Sequence, residues 1–253
     1  MLVKKYAVSF VVICLVGFFS FIFIKEKNPT NFEEKKLSSR EVIEYAEKLI
    51  IEKKPAPTES ALMYAYTATT YYDVLKETNN EDVAEKAAKY VIEKMLLATS
   101  TVTNDTNSVA LENILIRLEN DGHLKTGIGY VVPVGDWAWV DRDTNPKTPF
   151  TPNAGSWERW VVKDESFAVP PPPKYKSEAY LEALNQVKIA SENRTLEQGA
   201  AINFWGGIPG TAQPAGIWLD QFFTLSKKYD LSNEEYAYVQ MVLAQTLSDA
   251  FME

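Results

Sequence analysis

The sequence predicts an all-helical fold: a helical bundle with a long proline- and tryptophan-rich irregular segment, preceded by an amino-terminal membrane-spanning or signal helix. Three observations predict it. Apolar residues recur at three- and four-residue spacing in one stretch after another, the periodicity of a half-buried helix. Helix-start boxes of the form Ser/Thr-x-x-Glu/Gln recur ahead of those stretches. Strand-like alternation is almost absent outside Gly127 to Val134. With 253 residues, 46% of them hydrophobic, the chain can build one large core. Its net charge of −8 argues against nucleic acid as a partner, which calls for a basic face. One cysteine excludes an intrachain disulfide, and one histidine excludes any device needing two imidazoles from this chain.

Lys4 and Lys5 precede an apolar run from Ala7 to Ile24. Eighteen helical residues span about 27 Å, close to the roughly 30 Å of a bilayer core. Residues 1–27 therefore read as a membrane anchor through residues 6–24, or as a cleaved signal. The lysines on the amino side place the rest on the extracytoplasmic, periplasmic side. Cys14 is then a small apolar residue in lipid. Residues 28–36, polar and charged, form a tether, and residues 37–253 form the helical domain.

Ser38-Ser-Arg-Glu41 is a capping box, and Val42, Ile43, Ala46, Leu49 and Ile50 then keep helical spacing until Pro55-Ala-Pro57. A second helix is expected from Thr58 to Glu77, with Tyr64, Tyr66, Tyr71 and Tyr72 filling the core. Glu81 to Thr99 and Ser108 to Asn120 give two more, the latter closed by Gly122 in a left-handed conformation. His123 follows in a loop and is assigned no role.

Between Leu124 and Lys176 lie eight of the thirteen prolines and four of the six tryptophans, Trp137, Trp139, Trp157 and Trp160. Indoles are costly to leave in water, so this stretch is expected to be clamped on the helices, by packing in preference to carbohydrate binding. Pro170 to Pro173 is a stiff polyproline spacer. Ser177 to Ala190 reads as a helix with Leu181, Leu184 and Val187 inward. Thr195-x-x-Gln198 opens another through Trp205, Gly206 to Gly210 break it, Pro214 restarts one, and Ser232-x-x-Glu235 caps the last. That last helix carries Tyr236, Val239, Val242, Leu243, Leu247 and Phe251, read as an apolar stripe left open to a partner.

No group stands out for catalysis. The glycine-rich run at 206–216 lacks the Gly-Lys-Ser/Thr of a phosphate loop and reads as a hinge, or as a cavity wall with Phe204, Trp205 and Trp218. Glu81, Asp82, Glu112, Glu119, Asp121, Glu234 and Glu235 sit where carboxylates support helices. No metal ligand set is visible.

Five stretches, in order, resemble the bacterial branch of the vanadium-dependent haloperoxidase and type-2 phosphatidic acid phosphatase superfamily. They are Pro57 to Asp73; Gly135-Asp-Trp-Ala-Trp139; Trp157 with Phe167 to Pro173; Val187-Lys188 with Arg194 to Gln198; and Ala201 to Trp218, reading AINFWGGIPGTAQPAGIW. The resemblance implies two helical halves around a pocket for phosphate or vanadate, built from Lys-x6-Arg-Pro, Pro-Ser-Gly-His and Ser-Arg-x5-His. None of those three motifs occurs in this sequence, so no catalytic residue and no cofactor is carried over; vanadate would belong to a complete family member. The expectation is an amino-terminal, non-catalytic portion of an extracytoplasmic phosphatase or haloperoxidase-like protein. Its partner would be the missing carboxy-terminal half, or a second copy through the last helix. The alternatives are a membrane-tethered helical binding or scaffold protein, and an unrelated extracytoplasmic enzyme using carboxylates.

Overall fold

The structure, a computed structural model, describes residues 38–97, 106–125, 127–131, 149–162 and 170–252. The amino-terminal apolar run, Trp137 and Trp139 lie outside these residues. Among those described, no helix is long and apolar enough to cross a membrane.

Eight helices and no strand are present among the described residues. They are α1 (Ser38–Lys53), α2 (Pro57–Thr78), α3 (Glu81–Leu96), α4 (Val109–Asn120), α5 (Glu178–Glu192), α6 (Leu196–Trp205), α7 (Gln213–Ser226) and α8 (Asn233–Met252). Residues 127–131, which carried the only alternating pattern, make a turn instead, with Gly127 and Gly129 at φ 75° and 74°.

Helix α2 is the axis of the body. Pro57 starts it, Glu59 reaches back to accept the Ala56 N–H (3.0 Å), and Asn79, left-handed at φ 50°, ends it. Fourteen of its 22 residues are buried, on every side, because it stands between two apolar clusters. Tyr66, Tyr71 and Val74 of α2 join the first, with Ala88 and Val91 of α3 and Leu111 and Leu118 of α4. Tyr64 of α2 joins the second, with Ile43 of α1, Ile92 of α3, Leu219 and Phe222 of α7 and Tyr236 of α8. Tyr64, Tyr66 and Tyr71 are fully buried, while Tyr72 is half-buried and meets Tyr238 at 5.4 Å.

Polar groups register these helices. Glu77, at the end of α2, accepts from Ser108 Oγ (2.5 Å) and from the Val109 and Ala110 N–H groups (3.0 Å each), which places a carboxylate on the α4 amino terminus. Those bonds hold its carboxyl below the usual range. At the other end of α1, the Ser38 hydroxyl lies 2.5 Å from Tyr71 OH and donates to Glu81 (2.7 Å). Ser232 and Glu235 form the expected box, with reciprocal bonds of 2.9 and 3.2 Å.

Two expectations are corrected. Leu181, Leu184 and Val187 do not point inward: they are 52%, 54% and 67% exposed, and neither α5 nor α6 buries a single residue. Neither helix packs along any other described element. On α8 the buried stripe is Ala237, Gln240, Met241, Ala244 and Ser248, facing α2. The predicted open stripe flanks it: Tyr236 is buried, Val239, Leu243, Leu247 and Phe251 are half-buried against the second cluster, and Val242 is exposed.

Candidate functional site

The loop after α6 is built on the foot of the bundle. Thr195 and Gln198 cap α6 reciprocally, and the helix ends at Gly206. Gly207 is left-handed at φ 50°, and a Cβ there would stand 2.4 Å from Pro214 Cδ, so glycine is required on both counts. Gln213 is itself left-handed at φ 62° and fully buried. Its amide donates to Pro55 O (2.9 Å) and accepts from Ser60 Oγ (3.1 Å), while Tyr64 OH donates to Ala212 O (3.2 Å). A buried glutamine with both ends bonded pins the loop to the α1–α2 turn.

Above this pin the structure brings the three sequence-named aromatics together. Phe204 and Trp205 meet edge to face at 5.0 Å, and Trp205 and Trp218 meet at 5.3 Å. The rings are 53%, 45% and 39% exposed, so they form an open aromatic surface. With Leu196, Ile202 and Ile208 at 94%, 50% and 68% exposure, the surrounding chain is apolar as well.

A second cluster was not singled out from the sequence. Asp121 follows α4 and is 2% exposed. It accepts from Tyr66 OH (2.6 Å) and the His123 N–H (2.9 Å), and lies 2.6 Å from His123 Nδ1. Burial pushes its carboxyl up, but the bonds from His123 and Tyr66 outweigh burial and hold it below the usual range. Burial, reinforced by Asp121, pushes the Tyr66 phenol far up. Gly122, at φ 93°, takes the left-handed position expected of it. His123 sits in a short 3-10 turn, held by its Nδ1 against a buried carboxylate. Beside it, Asn120, Asp121, Lys125, Asn153, Ser156 and Glu158 line an open hollow of about 470 Å³.

The tryptophan segment closes over this cluster, as expected for Trp157 and Trp160. Asp249, 2% exposed at the end of α8, accepts the N–H groups of Trp160, Val161 and Val162 at 2.8, 2.8 and 2.9 Å. The Arg117 guanidinium stacks 4.1 Å from the Trp160 ring, and its two amino groups bond Glu158 Oε1 (2.7 Å) and Glu158 O (2.6 Å). Trp157 is 3% exposed, so its face is no carbohydrate platform.

Most other carboxylates do what the sequence assigned to them. Glu234 pairs with Lys76 (2.7 Å) and Glu119 with Lys94 (3.6 Å). Glu93, by contrast, is fully buried and accepts from Tyr45 OH, whose phenol is pushed up to about 12 by burial and then by Glu93. Among the described residues, no group of three or more His, Cys, Asp or Glu could hold a metal ion.

The sequence carried one overlooked sign of the Asp121 cluster, an Asp-Gly-His directly after a helix end, where an aspartate readily bonds the backbone two residues on. Asp249 carried no sign, because its donors lie almost ninety residues away. Protein-family models, curated proteins and solved structures give no match to this chain.

Proposed function

We propose that this chain is the amino-terminal, non-catalytic helical portion of an extracytoplasmic phosphatase or vanadium haloperoxidase-like protein, whose oxyanion-binding groups lie outside it. One contact carries the reading. The two longest stretches of family resemblance, 57–73 and 201–218, pack directly on each other through Gln213 with Ser60 and Tyr64 with Ala212. Residues about 150 positions apart thus lie in one packed unit. The chemistry fits as well. Oxyanion transfer needs a cradle of cations around the reacting group, and the aromatic surface of Phe204, Trp205 and Trp218 has no charged residue between Gln198 and Leu219.

The test is an assay of the purified chain with a chromogenic phosphate ester, and separately with vanadate, bromide and peroxide. The expected result is no turnover in either. Turnover that disappears in His123→Ala would overturn the proposal and assign chemistry to the Asp121–His123 pair. The second reading, a membrane-tethered binding or scaffold protein, draws on the exposed aromatic surface alone. The anchor at residues 6–24 is part of both proposals. Membrane fractionation with protease on the outer face should find the domain accessible there, and a protected soluble product would contradict it.

A further inference from the structure

We infer that the α5–α6 arm is a self-association surface, occupied by the same arm of a second copy of this chain. Three observations lead there. Neither α5 nor α6 buries any residue, although both present large apolar side chains, Leu181, Leu184, Val187, Leu196, Ile202 and Trp205 among them. An apolar helix in this condition is covered in the functional state.

The second observation is area. The accessible parts of the apolar side chains of α5, α6, the following loop and Trp218 amount to roughly 1,000 Å², taking large side chains at about 150–250 Å² each. A specific interface needs about 800 Å² per partner. One arm against another, with Trp218 of α7 at its edge, meets that need.

The third is charge. Between Pro170 and Leu219 the four cations Lys174, Lys176, Lys188 and Arg194 cancel the four glutamates 178, 182, 192 and 197. The chain's entire net charge of −8 therefore lies elsewhere. Two copies meeting through their bodies bring like charges together, whereas two arms meet without net repulsion. A strongly basic partner would be drawn to the body for the same reason. A twofold pairing also gives each apolar arm an equally apolar face, since an isologous interface joins a patch to itself.

The test uses the full chain in a Cys14→Ser background. Val187→Cys and Ile202→Cys are placed on the arm, and Lys86→Cys on the exposed side of α3 serves as control. Mild oxidation should give a cross-linked product of twice the chain mass at both arm positions, at least fivefold above the Lys86→Cys background. Adding Leu184→Glu with Trp205→Glu should reduce it at least fivefold while the helical circular dichroism of the body stays unchanged. Cross-linking no greater on the arm than at Lys86→Cys, insensitivity to the two glutamates, or adducts of another mass would each overturn the proposal. None of these outcomes depends on the catalytic reading, which the turnover assays test separately.

Discussion

Helix α2 and helix α5 have similar claims to burial in the sequence and opposite fates in the structure. α2 buries Leu62, Tyr64, Tyr66 and Tyr71 almost completely, whereas α5 leaves Leu181, Leu184 and Val187 more than half exposed. Both were read from helical spacing of apolar residues. That spacing reports which face of a helix seeks apolar contact, and it says nothing of where the contact comes from. For α2 the contact is α1, α3, α4, α7 and α8 of the same chain. For α5 it is absent from the described residues.

The contrast can be broken by mutation, and the largest effect belongs to the body. Leu62→Ala removes a side chain from a packed core and should cost about 2–5 kcal/mol in chemical denaturation. Leu184→Ala, at concentrations where the chain is monomeric, should change stability by less than about 0.5 kcal/mol. Equal costs would show that the arm folds as part of the body.

Next in size is the clasp on the tryptophan segment. Asp249→Ala strips the acceptor from three backbone N–H groups and should cost about 1–3 kcal/mol. Limited proteolysis should then cut within 149–162, while the parent chain should resist there. Unchanged resistance would mean that Arg117 and the indole packing suffice to hold it.

The hinge should respond more weakly, and for a different reason. Gly207→Ala sets a Cβ against Pro214 at a left-handed backbone, a strain of about 1–2 kcal/mol. Its signature is a change in the fluorescence of Trp205 and Trp218 with the body's melting little altered.

Two acids, buried Asp121 and surface-lying Asp220, sharpen the comparison through pH, with opposite sign. Asp121 is held below the ordinary aspartate range. It contributes stability that is present above the unfolded pKa and lost as pH falls through its lowered folded value, and Asp121→Asn should flatten that acid limb. Asp220, which is exposed, is pushed up by partial desolvation of its carboxyl, against the relief that Arg40 gives and with repulsion added by Glu44. Its folded form holds the proton more tightly than the unfolded form. Stability therefore declines as pH rises from the ordinary aspartate pKa through the raised value, and Asp220→Asn should remove the decline. Denaturation midpoints measured across that range read both.

Much of the body was legible because its signals are local. Thr195 with Gln198, Ser232 with Glu235, Pro57 and Gly122 each act within four residues of themselves, and the helix ends fall within about three residues of expectation. The features that were not legible depend on partners far along the chain. Gln213 meets Pro55 and Ser60, Asp249 meets 160–162, and Asp121 meets Tyr66, and no periodicity announces such pairs. For Phe204, Trp205 and Trp218 the sequence left a hinge and a cavity wall both open; the three rings meet one another, but on an exposed surface. The near-uniform apolar surface of α6 gives no face from which that exposure could be read.

On the proposal above, the body holds itself together, whereas the α5–α6 arm gains its apolar cover from a second copy of this chain. Amide hydrogen exchange on the full chain, followed by mass spectrometry over a dilution series, tests it most directly. Protection of α2 and α8 should be high and independent of concentration, while α5 and α6 exchange rapidly in dilute samples and gain protection as concentration rises. Arm amides as protected as those of α2 at the lowest concentration would contradict the account.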